Sequence, residues 1–163
     1  MLPPKLIMAP IDFSEPSHDA LKTAADLAAS FGAELFLVYV VPAIPKLPSA
    51  STLFHEGEYE NELHKQAEAQ LAKLVEDVES RNVKARYEVG TANDVSMELL
   101  RIAEHNGVDL IVIATHGMTG WRKLAFGSVT DKVVRLAECP VLVLRDAAAH
   151  SDESATQSVA AAH

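Results

Sequence analysis

The segment Thr115-His116-Gly117 is followed, after nine intervening residues, by Gly127-Ser128. Asp109 to Ala114, just before it, is almost wholly apolar and reads as a buried strand; Val129 to Ala137, just after it, reads as a helix. A strand, a glycine turn, a loop and Gly-Ser at a helix start form a layout that suits phosphate. Glycine lets the backbone come close to a ligand. A helix N-terminus offers N–H groups without intrahelical partners at the positive end of its dipole. A nucleotide is therefore the first ligand to consider.

Other elements must position this segment. Leu6-Ile7-Met8-Ala9 is a short apolar run closed by Pro10 and reads as a first strand. Ser14 can cap a helix that tolerates Pro16 in its first turn, carries Ala20, Leu21, Ala24, Leu27, Ala28 and Phe31 on one face, and stops at Gly32. Glu34 to Val41 is a second strand, and Pro42 to about His55, with three prolines, is a loop. Glu56 to Arg81 is a long helix with Leu63, Ala67, Leu71, Leu74 and Val78 along one stripe. Val83 to Val89 alternates apolar and charged residues, which predicts a half-buried edge strand ended by Gly90. Asp94 to His105 is a third helix, with Val95, Leu99, Ile102 and Ala103 inward, and Pro140 to Leu144 is a last strand.

Strict alternation of strand and helix predicts an α/β fold: a Rossmann-like five-stranded parallel sheet with helices on both faces and right-handed connections. In such a sheet a ligand sits beyond the carboxyl ends of the strands, where the strand order reverses. With the order 3-2-1-4-5 the reversal lies between strands one and four. It brings Pro10-Ile11-Asp12 opposite Thr115-His116-Gly117. The absence of Gly-x-Gly-x-x-Gly after the first strand favours this order over the longer dinucleotide-binding arrangement.

The chain has 163 residues, enough for one domain with a substantial core and no need of metal or disulfides. A formal charge of -9 makes nucleic acid a poor partner, because an acidic surface repels its backbone. Cys139 is the only cysteine, which excludes an intrachain disulfide and fits a reducing cytosol. No apolar run is long enough to span a bilayer, and no secretory signal pattern is visible at the N-terminus. The domain is expected over 1–146, with 147–163, rich in Ala, Ser, His and acid, as a disordered tail.

The chain resembles the universal stress protein family. The resemblance is carried by Ile7-Met8-Ala9-Pro10-Ile11-Asp12-Phe13-Ser14, by Asp109 to Gly117, by Gly120, by Gly127-Ser128-Val129-Thr130 and by Cys139-Pro140-Val141-Leu142-Val143, and it covers about residues 4 to 145. The ATP-binding branch of that family carries Gly-x2-Gly-x9-Gly-Ser/Thr. Here Ala114 stands at the first glycine, with Gly117 and Gly127-Ser128 at the others. The added methyl is tolerated where φ is negative and hinders only a positive φ or a very close approach. The resemblance implies a stress-responsive cytoplasmic regulator that binds ATP with Mg2+ or Mn2+ and dimerises through its last strand, Val141 to Leu144. It implies that Asp12 holds the base or ribose, that Ile11, Val40 and Ile113 contact the adenine or its surroundings, and that Pro10 and Ala114 also belong to the nucleotide site. The backbone of Gly117, Gly127, Ser128 and Val129, the Ser128 hydroxyl and the neighbouring Thr130 then face the phosphates.

Plainer roles stand beside these. Asp12 suits a helix cap, Gly117 and Gly120 suit turns, and Ser128 suits an N-cap paired with Asp131. His116, Arg122 and Lys123 suit a solvated loop, Trp121 suits a lid, an interface or plain exposure, and Cys139 suits a buried, inert thiol. No histidine or cysteine spacing suggests a metal site. Gly-x4-Gly-Lys-Ser/Thr is absent, and no residue stands out as a water-positioning base, so fast hydrolysis is not expected. Two classes remain open: an ATP-binding regulatory module, and a nucleotide-free or AMP- or cyclic-AMP-binding interaction protein; a slow ATP hydrolase is a third.

Overall fold

The computed structural model describes residues 3–43, 53–115 and 127–145, the side chains of 53–59 excepted. Nine elements alternate along the chain: Leu6–Pro10 (β1), Glu15–Phe31 (α1), Glu34–Pro42 (β2), Leu53–Glu79 (α2), Ala85–Ala92 (β3), Val95–Asn106 (α3), Leu110–Ala114 (β4), Ser128–Leu136 (α4) and Val141–Leu144 (β5). The strands form one parallel sheet, as the alternation predicts, in the order β3-β2-β1-β4-β5 that the absence of Gly-x-Gly-x-x-Gly favours.

β1, β2 and β4 lie in the middle of the sheet. Ile7, Met8, Leu35, Phe36, Leu37 and Ile111 are fully buried, which is why these segments read as continuous apolar runs. α1 and α2 cover one face through Leu21, Ala24, Ala28, Leu71 and Val78. α3 and α4 cover the other through Leu99, Ile102, Ala103 and Val133, packed on Met8, Phe36, Val38 and Ile113. β3, at one edge, is mostly half-buried, as its alternation predicts.

The caps explain where the helices begin and end. The Ser14 hydroxyl accepts from Ser17 N, and Gly32 closes α1 in the left-handed conformation at φ 65°. Asp94 caps α3 by accepting from Met97 N, and Gly107 ends it at φ 65°. Gly90 does not end β3, which runs on to Ala92. A Cβ at Gly90 would lie 3.2 Å from Glu98 Cγ and 3.3 Å from Ile102 Cδ1, so the missing side chain lets α3 pack close to the strand. At the opposite end of the sheet Asp109 Oδ2 accepts Lys5 N at 2.8 Å and Leu6 N at 3.0 Å, which fixes the start of β1 against β4.

Candidate functional site

A cavity of about 350 Å³ opens at the carboxyl end of the sheet, where the order reverses between β1 and β4. Its apolar walls come from Val38 and Val40 of β2, Val95 and Leu99 of α3, and Ile113 of β4. Asp12 follows β1 on one flank, and Gly127 to Thr130 open α4 on another. Pro10, Ile11, Asp12, Val40, Ile113, Ala114, Gly127, Ser128, Val129 and Thr130 therefore line one space. Gly117 lies outside the described residues, as do His116, Gly120, Trp121, Arg122, Lys123 and the segment 147–163.

The β1–α1 turn holds Asp12 firmly. Its Oδ1 accepts from Ser14 N at 3.1 Å and from the Ser14 hydroxyl, and Asp12 N points to Ser17 Oγ at 3.5 Å. Phe13 adopts φ 62°, a left-handed conformation that costs a non-glycine residue about 1 kcal/mol or more. Its ring packs on Tyr39 with centroids 4.9 Å apart, which helps to offset that cost. Burial pushes the Tyr39 phenol above its ordinary range, and the Asp12 charge adds to the shift. Asp12 is the only carboxylate among the described lining residues, so this flank offers acceptors to amino or hydroxyl groups.

The α4 flank has the opposite character. Gly127, at φ -66° and ψ 158°, is the N-cap and makes no side-chain cap bond. Ser128 is thus the first helical residue and is no cap, and Asp131 pairs with Arg135 at 3.2 Å instead of closing a capping box. A cap requires extended backbone dihedrals, and the chain has already turned helical at Ser128. The N–H groups of Ser128, Val129 and Thr130 have no acceptor within the helix. Gly127 N donates to Thr115 O at 2.7 Å, so that amide ties the helix start to β4. Buried Thr130 donates its hydroxyl to Ala114 O at 2.8 Å; its side chain fastens α4, and its backbone N–H is the group it can offer a ligand.

Ala114 is the last residue of β4 and pairs with Leu144. Among the described residues only Phe13 and Asn82 combine a side chain with positive φ, so the Ala114 methyl meets no backbone strain. Val38, Tyr39, Pro42, Val95, Leu99 and Ser17 also line the cavity. Apolar periodicity marks Val95 and Leu99 as inward-facing, but only the strand register brings them beside Asp12.

A larger cavity of about 570 Å³ lies along α3, with Met97, Leu100, Val108, Ile111, Leu136 and Cys139 in its lining. It does not hold the sheet's carboxyl end, the first-turn amide of Met97 in its lining is capped by Asp94, and Arg101 there is paired with Glu98 while Glu104 and Glu138 disfavour an anion. Cys139 there is half-buried, and burial raises its thiol pKa. Among the described residues no group of His, Cys, Asp or Glu could hold a metal ion, and no helix is long and apolar enough to cross a membrane.

Comparison with known proteins agrees with this architecture. The sequence profile of the universal stress protein family matches residues 4–145. Universal stress protein MJ0531 of Methanocaldococcus jannaschii is 36% identical over 146 residues, covering 86% of this chain and 82% of its own. The solved structure of MJ0577 from the same organism superimposes with a TM-score of 0.77 at 28% identity, covering 87% of this chain and 96% of that one. A universal stress protein from Archaeoglobus fulgidus in complex with dAMP shares the fold, with a TM-score of 0.60 at 18% identity, over 88% of this chain and 98% of its own.

Proposed function

The chain belongs to the universal stress protein family, and we propose that it is a regulator that binds an adenine nucleotide, ATP, in the crevice between β1 and β4. One observation carries the reading. A single cavity combines an acceptor carboxylate, Asp12, with apolar walls and N–H groups of a helix start that have no acceptor within the helix. These match the three parts of the ligand. The adenine packs on Val40, Ile113 and their neighbours, the Asp12 carboxylate takes an amino or ribose hydroxyl proton, and the amides of α4 face the phosphates. Asp12 repels phosphate and α4 attracts it, so the ligand has one favourable direction.

The frame Ala114-x2-Gly117-x9-Gly127-Ser128 supports ATP as the nucleotide, since Ala114 sits in ordinary strand backbone. The protein supplies no cluster of metal ligands among the described residues, so Mg2+ or Mn2+ would be carried by the phosphates themselves. The outer edge of β5 faces no other strand of the sheet, and Leu142 is exposed. An apolar edge strand of this kind supports a homodimer formed by pairing two copies along Val141–Leu144. Chromatography of the small molecules released on denaturing the purified protein tests the reading. Release of ATP near one equivalent is expected; a nucleotide-free protein whose unfolding temperature ignores magnesium-ATP would overturn it.

A further inference from the structure

The N-terminal half of α4 is held from two directions. Toward β4 it is tied by Gly127 N to Thr115 O and by the Thr130 hydroxyl to Ala114 O. Toward α3 it is tied by an ion pair between the Lys132 ammonium and Asp94 Oδ2. Asp94 divides its oxygens between two tasks. Oδ1 accepts from the Ser96 hydroxyl at 2.6 Å and Met97 N at 3.2 Å, and so caps α3, while Oδ2 takes Lys132. Asp94 directly precedes Val95, and Lys132 lies one turn beyond Ser128 and Val129; all three of these neighbours line the cavity.

We infer that Lys132 and Asp94 are positioning residues for the nucleotide site, whose bridge sets the spacing between the α3 wall and the phosphate-facing amides of α4. The inference rests on the nucleotide reading. Both side chains are about two-fifths exposed, 40% for Lys132 and 46% for Asp94, so the pair adds little to global stability and its loss falls on the local geometry. Lys132, foremost among several partners, holds the Asp94 carboxyl well below the usual carboxylate range, so the bridge persists through neutral and mildly acidic pH.

The chemistry of Asp94 permits a clean test. D94N keeps an oxygen for the cap and removes only the partner of Lys132. Calorimetric titration with magnesium-ATP is expected to show about three- to five-fold weaker binding for D94N and for K132M, and no further loss in the double variant. K132R should restore affinity to within about two-fold, and adenosine, which lacks the phosphates, should bind all variants within about two-fold of the native protein. The sign in D94N is decisive. Removing a negative charge, or freeing Lys132 to touch a phosphate, would by itself tighten ATP binding, so unchanged or tighter binding overturns the inference. A second measurement needs no ligand: amide hydrogen exchange at Gly127 and Asp131, whose N–H groups donate to Thr115 O and Gly127 O, should quicken in D94N while β1 and β2 keep their protection. If the native protein binds no nucleotide, the functional reading fails; unchanged exchange in D94N overturns the bridge's role on its own.

Discussion

Thr130 joins the fold to the site, and replacing it separates the two. Thr130 is 4% exposed and its hydroxyl donates to Ala114 O at 2.8 Å. T130V keeps the branched shape but leaves the buried Ala114 carbonyl without this donor, at a cost of about 1–2 kcal/mol. With a urea dependence of about 2 kcal/mol per molar, the unfolding midpoint should fall by about 0.5–1 M. T130S keeps the donor and loses a methyl, which costs about 1 kcal/mol of burial. The two variants should therefore be destabilised to a similar extent. They should part in ligand binding. T130V frees the start of α4 from β4 and should weaken magnesium-ATP binding about five- to ten-fold, a loss of about 1–1.4 kcal/mol. T130S should bind as the native protein does. Urea melts and calorimetric titrations on the same preparations supply both quantities. Native-like affinity in T130V, or an equal loss in T130S, would refute the claim that this hydrogen bond orients the amides.

Three further outcomes follow from the same geometry. D12A should weaken adenosine about ten-fold or more by removing a charged acceptor, and equal adenosine affinity in equilibrium dialysis would remove Asp12 from the site. G90V should lower the unfolding temperature, because its side chain must displace Glu98 and Ile102, at a cost of about 1–3 kcal/mol; an unchanged melt would mean that α3 has room to move. Asp109 accepts two backbone N–H groups, first from Lys5 and then from Leu6, which hold its carboxyl below the ordinary range. Its stabilisation is then complete above the unfolded value of about 4 and is lost as pH falls through the lower folded value. D109N should be less stable than the native protein at neutral pH, with a gap that closes on acidification below that window; a pH-independent gap would contradict this.

The central strands were the most legible part of the chain. Ile111, Val112 and Ile113 sit in a strand buried on both faces, so their apolar run needs no alternation and is visible without a structure. The crevice followed from strand order together with the glycine spacing, and ten of the eleven residues expected there line one cavity, with Gly117 outside the described residues. Local roles were harder to see. Ser128 has the side chain of a cap, but the dihedral angles place the cap at Gly127. Gly90 looked like a strand end because isolated glycines often are; its purpose is the close approach of α3, which no local pattern reports. Phe13 in a left-handed conformation is invisible to propensity, since it is held there by Asp12, Ser14 and Tyr39 acting together. Val95 and Leu99 were legible as an inward face, but which end of the sheet they reach depends on packing across the sheet.

The most direct test of the account is the pattern of backbone amide chemical shifts on adding magnesium-ATP to the nucleotide-free protein. Saturable changes are expected at Asp12, Val40, Ile113 and Ser128 to Thr130, with Leu136 to Cys139 in the other cavity unmoved. Changes centred on Leu136 to Cys139, or none at ligand concentrations far above those of a specific complex, would contradict it.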